Sequence, residues 1–296
     1  MNNTEVTNIF DHIATSTGTA TTLCVDVLPD VPEVANSSSK AVIEPQLQIP
    51  LNAQLAQIRR KPTNAGDLVA DALLFVALDS STKKIVALVN SGAIRGGVFS
   101  PKTLTPDDIA TLLPFSDRVV QFPAISAAIF KGVLENAVSD RELVTDPLVS
   151  LPLLDGRFGQ VAGFSFTYDP VQPEGKRVIS AVLDDGTKLI ANGSVVSGAP
   201  DISLVTIGFV AAGGDGYPLA GILFEDLNIT PQAAVTNYVT QELDGLITAQ
   251  AYPDGGNNGR ILALSCITKP APSWSLLPLG TMGAISDTHH QLASVA

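Results

Sequence analysis

The hydrophobic positions of this chain fall into short runs that favour a mixture of strands and helices. Runs rich in β-branched residues occur at 85–90, 118–122 and 204–207, and each is bounded by loop residues. Such runs are typical of buried strands. Residues 164–168 alternate between apolar and polar positions, and residues 177–191 contain two apolar runs around a glycine turn. These two stretches predict a half-buried strand and a β-hairpin.

Four other stretches carry helical spacing or helix-start signals. One begins near Gly66, with Asp67 in the first turn, where a carboxylate suits the helix dipole. Thr105 and Thr230 each precede a proline, which is the order of an N-cap and a first helical residue. Residues 126–138 place their apolar side chains on one helical face, which predicts an amphipathic helix.

The order of these elements predicts the fold class and the domain limits. Strands and helices are mixed without a regular strand–helix–strand rhythm, so we predict an α+β fold, a single domain with one mixed β-sheet packed by helices. Residues 1–45 show little periodicity and are interpreted as an irregular lead-in or linker. The domain is predicted to span residues 46–264, with residues 140–160 irregular. Residues 265–296 are rich in Pro, Ser and Thr and predict a loosely held tail.

Composition and charge exclude several classes of protein. Hydrophobic residues make up 45% of the 296 positions, which is enough for a sizeable core. The formal charge of −12 argues against nucleic-acid binding, and it makes any local group of arginines informative. No window supplies the roughly 20 apolar residues of a membrane span. The first residues, Met1–Val6, lack the basic start and apolar run of a secretory signal peptide.

Histidine and cysteine are too scarce to predict a metal centre. The histidines are His12, His289 and His290, whereas a hydrolase with two metal ions usually draws on several histidines and carboxylates. The adjacent pair resembles a set of metal ligands but lies in the polar tail, so we predict no metal site and no catalytic residue. Cys24 and Cys266 are compatible with a disulfide or with two buried thiols.

A first candidate binding loop follows the run at 85–90. The loop contains Gly92 and Arg95 directly after Asn90. A rigid buried strand that ends in glycines lets backbone N–H groups approach a ligand, and arginine offers a forked cation for phosphate or carboxylate. Alternatively, the glycines only form a turn and Arg95 is a surface charge.

A second glycine-rich loop, Gly213–Gly216, follows the run at 204–207 and contains Asp215. This aspartate suits the vicinal hydroxyls of a ribose, although it is also compatible with an acidic turn or a cation ligand. Phe115 and Phe209 lie at element–loop junctions in a chain with only 5% aromatic residues, and rings facing each other about 7 Å apart would hold a flat base. Alternatively, both rings belong to the core.

Taken together, these residues favour a nucleotide site. Neither loop has the Gly-Lys-Ser/Thr ending of a P-loop. Arg59 joins the candidates as a second phosphate ligand, with an exposed basic loop as its alternative. The predicted substrate-binding residues are Arg59, Asn90, Gly92, Arg95, Phe115, Phe209 and Asp215.

Five blocks of sequence, in order between about residues 55 and 262, resemble the C-terminal domain of the 5′-nucleotidase family. The blocks are Arg59 with Asn64-Ala-Gly66-Asp67, Val89-Asn90-Ser-Gly92-Ala-Ile-Arg95, Leu113-Pro114-Phe115, Phe158-Gly-Gln160-Val-Ala-Gly163, and Phe209 with Gly213-Gly214-Asp215-Gly216-Tyr217. The resemblance implies that this chain binds a nucleoside monophosphate or nucleoside and delivers it, by a hinge rotation, to an N-terminal metallophosphatase domain with two divalent metals. It also implies a periplasmic, cell-surface or secreted location.

The resemblance implies a role for six side chains. Arg59 and Arg95 would hold the phosphate side, Asn90 would help to position the substrate, Phe115 and Phe209 would sandwich the base, and Asp215 would hold the ribose hydroxyls.

The chain departs from the family pattern in several places. The N-terminal metal motifs have no counterpart before residue 55, so cofactor metals are expected only in a partner domain. Pro62 stands where members often carry Glu, Gly208 where an Asn often precedes the stacking aromatic, and Asp117 where some members place an Asn near the base. A carboxylate only accepts hydrogen bonds, so Asp117 would change the base edge that is preferred, and a preference for adenine does not follow from the resemblance.

The leading hypothesis is therefore the nucleotide-binding domain of a 5′-nucleotidase-type hydrolase. Hydrolysis of the phosphate ester would need a metallophosphatase half that this chain lacks, so its own status as an enzyme stays open. The alternatives are a stand-alone, non-catalytic nucleoside-binding module and a degenerate extracellular domain.

Overall fold

The computed structural model describes residues 44–77, 84–139, 143–145, 152–253, 255–256 and 259–264. The helices of this part are α1 (Leu55–Ile58), α2 (Asn64–Ala77), α3 (Pro106–Leu112), α4 (Ala127–Ala137), α5 (Gly208–Ala211) and α6 (Pro231–Gln241). Its strands are β1 (Gln46–Leu47), β2 (Leu51–Ala53), β3 (Ile85–Asn90), β4 (Gly97–Phe99), β5 (Lys102–Thr103), β6 (Val119–Ile125), β7 (Leu143–Thr145), β8 (Pro152–Leu154), β9 (Gly159–Ala162), β10 (Phe164–Tyr168), β11 (Val178–Leu183), β12 (Lys188–Ala191), β13 (Ser194–Val195), β14 (Ile202–Ile207), β15 (Glu225–Asp226), β16 (Leu246–Ile247) and β17 (Ile261–Ala263).

A central mixed sheet organises the fold. Among the described strands its order is β15-β6-β14-β3-β9, with β14 parallel to β3 and the other neighbours antiparallel. Every residue of β14 is buried, as is every residue of β3 after Ile85. Strands covered on both faces must be apolar at nearly every position, which is why both were recognisable as apolar runs. Helix α2 packs against β3, β9 and β14.

A second sheet has the order β13-β12-β11-β10-β17 in the described part. Strands β11 and β12 form the predicted hairpin, and β10 pairs antiparallel with β11 from Phe164↔Leu183 to Tyr168↔Val178. Helix α4 packs on this sheet, where the Phe130 and Phe164 rings meet edge to face with centroids 5.0 Å apart. The apolar face predicted for residues 126–138 is therefore buried against a sheet.

The predicted helix starts are confirmed with their capping bonds. The Thr105 hydroxyl accepts the Asp108 N–H at 3.2 Å, and the Asp108 carboxylate accepts the Thr105 N–H at 2.9 Å, which completes a capping box. Thr230 accepts the Ala233 N–H in the same way at 3.2 Å. Each bond satisfies an N–H group that would otherwise lack a partner at the start of the helix.

The α+β class is confirmed, but two details of the prediction were wrong. The described residues form two five-stranded sheets and three smaller ones instead of one sheet. Residues 140–160 were expected to be irregular, yet they contain the β7–β8 pair and the start of β9, which pairs with β3 at Val89↔Gln160 and Asn90↔Gly159. Strand β9 has only four residues and begins with Gly159 and Gln160, so its sequence carries no strand signal.

Several predictions concern residues outside the described ranges. These are most of the lead-in at 1–45, the tail at 265–296, and with them the three histidines and both cysteines. Among the helices of the described residues, none combines the length and the apolar character that a membrane crossing requires.

Candidate functional site

One edge of the central sheet gathers four of the chain segments that line a cavity of about 510 Å³. Because β3 and β14 are parallel, the segments that follow Asn90 and Ile207 leave the sheet at the same edge. Strands β6 and β9 run the opposite way, so the segments that precede Val119 and Gly159 reach that edge too. The cavity volume is within the range of small-molecule sites.

All seven predicted site residues line this cavity. They are Arg59, Asn90, Gly92, Arg95, Phe115, Phe209 and Asp215. The structure thus brings together residues that lie up to 156 positions apart in the chain (59 to 215). Their roles toward a substrate stay a prediction.

Asn90 ends β3 with its side chain against Asp215. It is only 2% exposed, and its Nδ2 donates to the Asp215 Oδ2 at 2.7 Å. Because a carboxylate only accepts hydrogen bonds, this contact fixes the orientation of the amide. The Asn90 Oδ1 is then a buried acceptor without a hydrogen-bond partner among the described residues. A buried acceptor of this kind is costly unless a ligand or water donates to it.

Asp215 reaches the cavity from a tight turn. Its φ of 54° lies in the left-handed region that non-glycine residues rarely adopt. Two contacts hold the turn: Asn136 Nδ2 donates to the Asp215 carbonyl at 3.3 Å, and the Tyr217 hydroxyl donates to the Arg157 carbonyl at 2.6 Å. Asp215 therefore lies in a turn, as one alternative had it, and it also lines the cavity on a backbone that these bonds support.

The two arginines differ in their surroundings. Arg59 is 5% exposed, and its Nη1 donates to the Leu154 carbonyl at 2.9 Å, so the exposed-loop alternative is wrong for this residue. Arg95 is half-buried. Its Nη1 donates to the carbonyls of Gly92 and Ile94, and its guanidinium carbon lies 5.2 Å from the centroid of the Phe115 ring. This cation–π contact fixes the ring and the cation together at the cavity wall.

Phe115 and Phe209 do not belong to the core. Their exposed fractions are 50% and 48%, although both line the cavity. Phe115 lies in the turn after α3, and Phe209 lies in the first turn of α5, an element that the sequence pattern did not predict. Half-exposed aromatic rings beside a cavity are suited to stacking on a flat ligand.

Asp117 joins the two aromatic segments. Its Oδ1 accepts the Arg118 N–H at 2.8 Å, and its Oδ2 accepts the Phe209 N–H at 3.1 Å. A Cβ atom at Gly208 would lie 2.8 Å from the Asp117 Oδ1. A side chain at position 208 would therefore collide with the Asp117 carboxylate in its present position. Asp117 also lines the cavity, where its remaining lone pairs can accept from a ligand.

Sequence reasoning missed Gly156, which lines the same cavity. The Gly156 carbonyl accepts the Gly92 N–H at 2.8 Å and the Ser91 hydroxyl at 3.0 Å. A Cβ atom at Gly156 would lie 2.5 Å from the Gly92 Cα, so the two backbones meet only because both residues are glycine. The nearest signal was the block that begins at Phe158, two residues further on, and it did not include Gly156.

The described residues do not fit a metal centre. No group of three His, Cys, Asp or Glu side chains in these ranges is arranged to hold a metal ion. The cation-ligand alternative for Asp215 therefore has no cluster of His, Cys, Asp or Glu partners in this part of the chain.

Comparison with known proteins identifies the family. The family model described as "5'-nucleotidase, C-terminal domain" matches residues 40–221, so the chain belongs to that family. It is 29% identical over 171 residues to the trifunctional nucleotide phosphoesterase protein YfkN of Bacillus subtilis, an alignment that covers 57% of this chain and 10% of that protein.

Two solved structures share the fold. A 5′-nucleotidase precursor from Thermus thermophilus aligns with a TM-score of 0.60 and 24% identity, covering 76% of this chain and 40% of that one. The NAD nucleotidase NadN of Haemophilus influenzae aligns with a TM-score of 0.55 and 18% identity, covering 77% of this chain and 39% of that one. The chain thus spans less than half the length of these relatives.

Proposed function

We propose that this chain is the substrate-binding domain of a 5′-nucleotidase-type hydrolase and that its cavity binds a nucleoside 5′-monophosphate. The observation that carries the proposal is the set of groups that line one cavity: two half-exposed aromatic rings, two arginines, and the Asn90–Asp215 pair with its buried acceptor. The family and the name of the Bacillus relative, a nucleotide phosphoesterase, support the same ligand class.

Each part of a nucleotide has a matching group in the cavity. Phe115 and Phe209 would stack on the base, for about 1–3 kcal/mol per contact. The Asp215 carboxylate and the Asn90 Oδ1 are acceptors for the ribose hydroxyls. Arg59 and Arg95 would hold the phosphate, because a guanidinium matches phosphate oxygens in pairs.

We assign this chain the binding and orientation of the substrate, and no step of bond cleavage. Holding the reacting group in one geometry is itself a large part of catalysis. The two divalent metals and the attacking water would belong to a separate metallophosphatase domain. We also propose that the protein acts outside the cytoplasm. A stand-alone nucleoside-binding module remains the second candidate, because the aromatic rings and the Asn90–Asp215 pair would serve a nucleoside without its phosphate.

The test is calorimetric titration of AMP and adenosine into the wild type and into Phe115→Ala and Phe209→Ala. We expect AMP to bind, and each substitution to weaken both ligands by about tenfold, since one stacking contact is lost. Phe224→Ala is the matched control. Phe224 is 44% exposed and packs edge to face on Phe122, outside the cavity lining.

Other results would redirect the proposal. If both cavity variants bound as tightly as Phe224→Ala, the stacking role would be wrong. Equal affinity for AMP and adenosine would favour the nucleoside module. Release of phosphate by this chain on addition of Mn²⁺, followed in the same samples, would overturn the assignment of the metals to another domain.

A further inference from the structure

The side chain of Gln160 is completely buried in β9, and its hydrogen bonds reach a single loop. Its Nε2 donates to the carbonyls of Ile58 at 3.0 Å and Lys61 at 3.1 Å. Its Oε1 accepts the Thr63 N–H at 3.3 Å. Both amide donors and the acceptor are thus used, and the three bonds bracket the short segment that contains Arg59.

The backbone N–H groups of this segment bond back to α1, since Arg59 donates to the Leu55 carbonyl at 3.3 Å and Lys61 to the Gln57 carbonyl at 3.1 Å, but these bonds leave the Ile58 and Lys61 carbonyls to Gln160. The segment follows α1, which has only four residues, and an isolated helix of this length is unstable in water. The last carbonyls of a helix also lack partners within the helix. Gln160 supplies the partner for the Ile58 carbonyl, the residue immediately before Arg59, and for the Lys61 carbonyl two residues after it.

A glycine in helix α2 leaves space for the Gln160 amide. A Cβ atom at Gly66, in α2, would lie 2.2 Å from the Gln160 Oε1 and 2.4 Å from its Cδ. Any larger residue at 66 would therefore displace the side chain. The Gln160 amide fits only because residue 66 is glycine, and this amide in turn bonds the loop that contains Arg59.

Arg59 has a second attachment that runs to the same part of the chain. Its Nη1 donates to the Leu154 carbonyl, which ends β8 a few residues before β9. The segment 154–160 thus holds the backbone on both sides of Arg59 through Gln160, and the Arg59 guanidinium through Leu154. Gln160 itself is absent from the residues that line the cavity, whereas Arg59 is among them.

We propose that Gln160 is a positioning residue that sets the Arg59 guanidinium for the phosphate group of the ligand. This inference rests on the proposed function, in which Arg59 meets phosphate while other residues meet the nucleoside. It follows that Gln160 contributes to affinity for AMP and not to affinity for adenosine.

The experiment measures the dissociation constants of AMP and adenosine for the wild type, Gln160→Met and Gln121→Met. Methionine keeps the length of glutamine but neither donates nor accepts strongly. We expect Gln160→Met to weaken AMP by about tenfold, the effect of a misplaced charge-assisted bond, and to leave adenosine within about twofold. Gln121 bonds the Ser203 hydroxyl at 2.7 Å away from the cavity, so its variant should change neither constant.

A double-mutant cycle with Arg59→Met separates positioning from general stability. If Gln160 acts through Arg59, then Gln160→Met should have no further effect on AMP binding once Arg59 is replaced. Gln160→Glu is the second variant if the methionine protein does not fold. Glutamate keeps an oxygen that can accept the Thr63 N–H, but its second oxygen replaces the Nε2 donor that bonds the Ile58 and Lys61 carbonyls. The same selective loss of AMP affinity is expected.

The outcomes are distinct. A wild type that binds neither ligand would overturn the proposed function, and this inference with it. A wild type that binds both, with Gln160 variants that lose AMP and adenosine equally, would make Gln160 merely structural. Variants that keep full AMP affinity, or additive effects in the cycle, would overturn the positioning role while the proposed function stood.

Discussion

At the scale of single residues, Asp67 shows how tertiary context changes the meaning of a sequence signal. The sequence placed it in the first turn of a helix, and it is in the first turn of α2. It is nevertheless only 2% exposed, and burial raises its pKa to about 7, while Arg260 opposes the rise and Asp71 adds to it. The helix was predictable from local pattern, but the raised pKa depends first on burial by the folded chain and then on Arg260, which lies far along the chain.

We predict that this buried carboxyl makes stability fall as the pH rises toward neutrality. Between the unfolded pKa near 3.8 and the folded pKa of about 7, the native state holds a proton that the unfolded state has lost. The free energy of unfolding should therefore decrease with pH, by at most about 1.4 kcal/mol per pH unit, and level off above the folded pKa. Urea unfolding at several pH values between about 5 and 8 measures the slope.

Asp67→Asn should flatten that slope, since asparagine does not titrate. Asp185→Asn is the control: its hydrogen bond from Lys84 lowers the pKa of Asp185 to about 2, so it does not titrate in this range. A slope that survived in Asp67→Asn would assign the effect to another group.

At the scale of elements, the segment Leu154–Phe158 is the part of the site that the sequence did not reveal. Its backbone bonds Arg59, Ser91, Gly92 and the hydroxyl of Tyr217. Backbone carbonyls carry these contacts, so side-chain pattern contains almost no trace of them. The residues that present side chains to the cavity were recognisable by chemical type, whereas the segment that holds them together became visible only when β9 was seen to pair with β3.

We predict that Gly156→Ala disrupts the site through the backbone. The added Cβ would lie 2.5 Å from the Gly92 Cα and 3.0 Å from the Asp215 Oδ2, so the two loops must separate. Both AMP and adenosine should bind at least about tenfold more weakly, because the Asn90–Asp215 side of the cavity moves. Calorimetry gives the two constants, and the shared loss distinguishes this variant from those at Gln160.

Gly132→Ala is the matched control for this substitution. Its Cβ would meet only the Pro218 Cγ at 3.4 Å, an ordinary contact, and alanine favours a helix such as α4. Normal binding by Gly156→Ala would show that the loops can separate without loss of the site.

At the scale of the whole molecule, the folded unit extends beyond the family match at residues 40–221. Helix α6 packs on α2, β16 pairs with β1, and β17 pairs with β10. The cap at Thr230 predicted α6, and the sequence placed the end of the domain near residue 264. Nothing in the sequence indicated β17, a three-residue strand in which Ile261 alone is buried. Long-range partners define such a strand, and its own sequence does not.

Besides its pairing with β10, β17 is linked to the rest of the molecule by an ion pair between α2 and Arg260, the residue just before the strand. Arg260 donates to both carboxylate oxygens of Asp71, at 2.8 and 2.9 Å, and to the Val161 carbonyl at 3.0 Å. The Tyr252 hydroxyl lies 2.8 Å from the same carboxylate. A bidentate pair that is mostly shielded from water, and that shares its carboxylate with a tyrosine, is expected to contribute more than an exposed pair.

We therefore predict that Arg260→Met lowers the free energy of unfolding by about 2 kcal/mol or more, because it leaves the Asp71 carboxylate without its cation. Arg118→Met is the control, since the Arg118–Asp226 pair is exposed, 3.4 Å long, and should contribute less than about 1 kcal/mol. Urea unfolding of both variants gives the two values. Arg260 also bonds the Val161 carbonyl in β9 at 3.0 Å. A large loss only in Arg260→Met would therefore mean that the contacts of Arg260 with α2 and β9 stabilise the fold. Equal small losses would mean that the Arg260–Asp71 pair contributes no more than an exposed pair, and that β17 is held mainly by its pairing with β10.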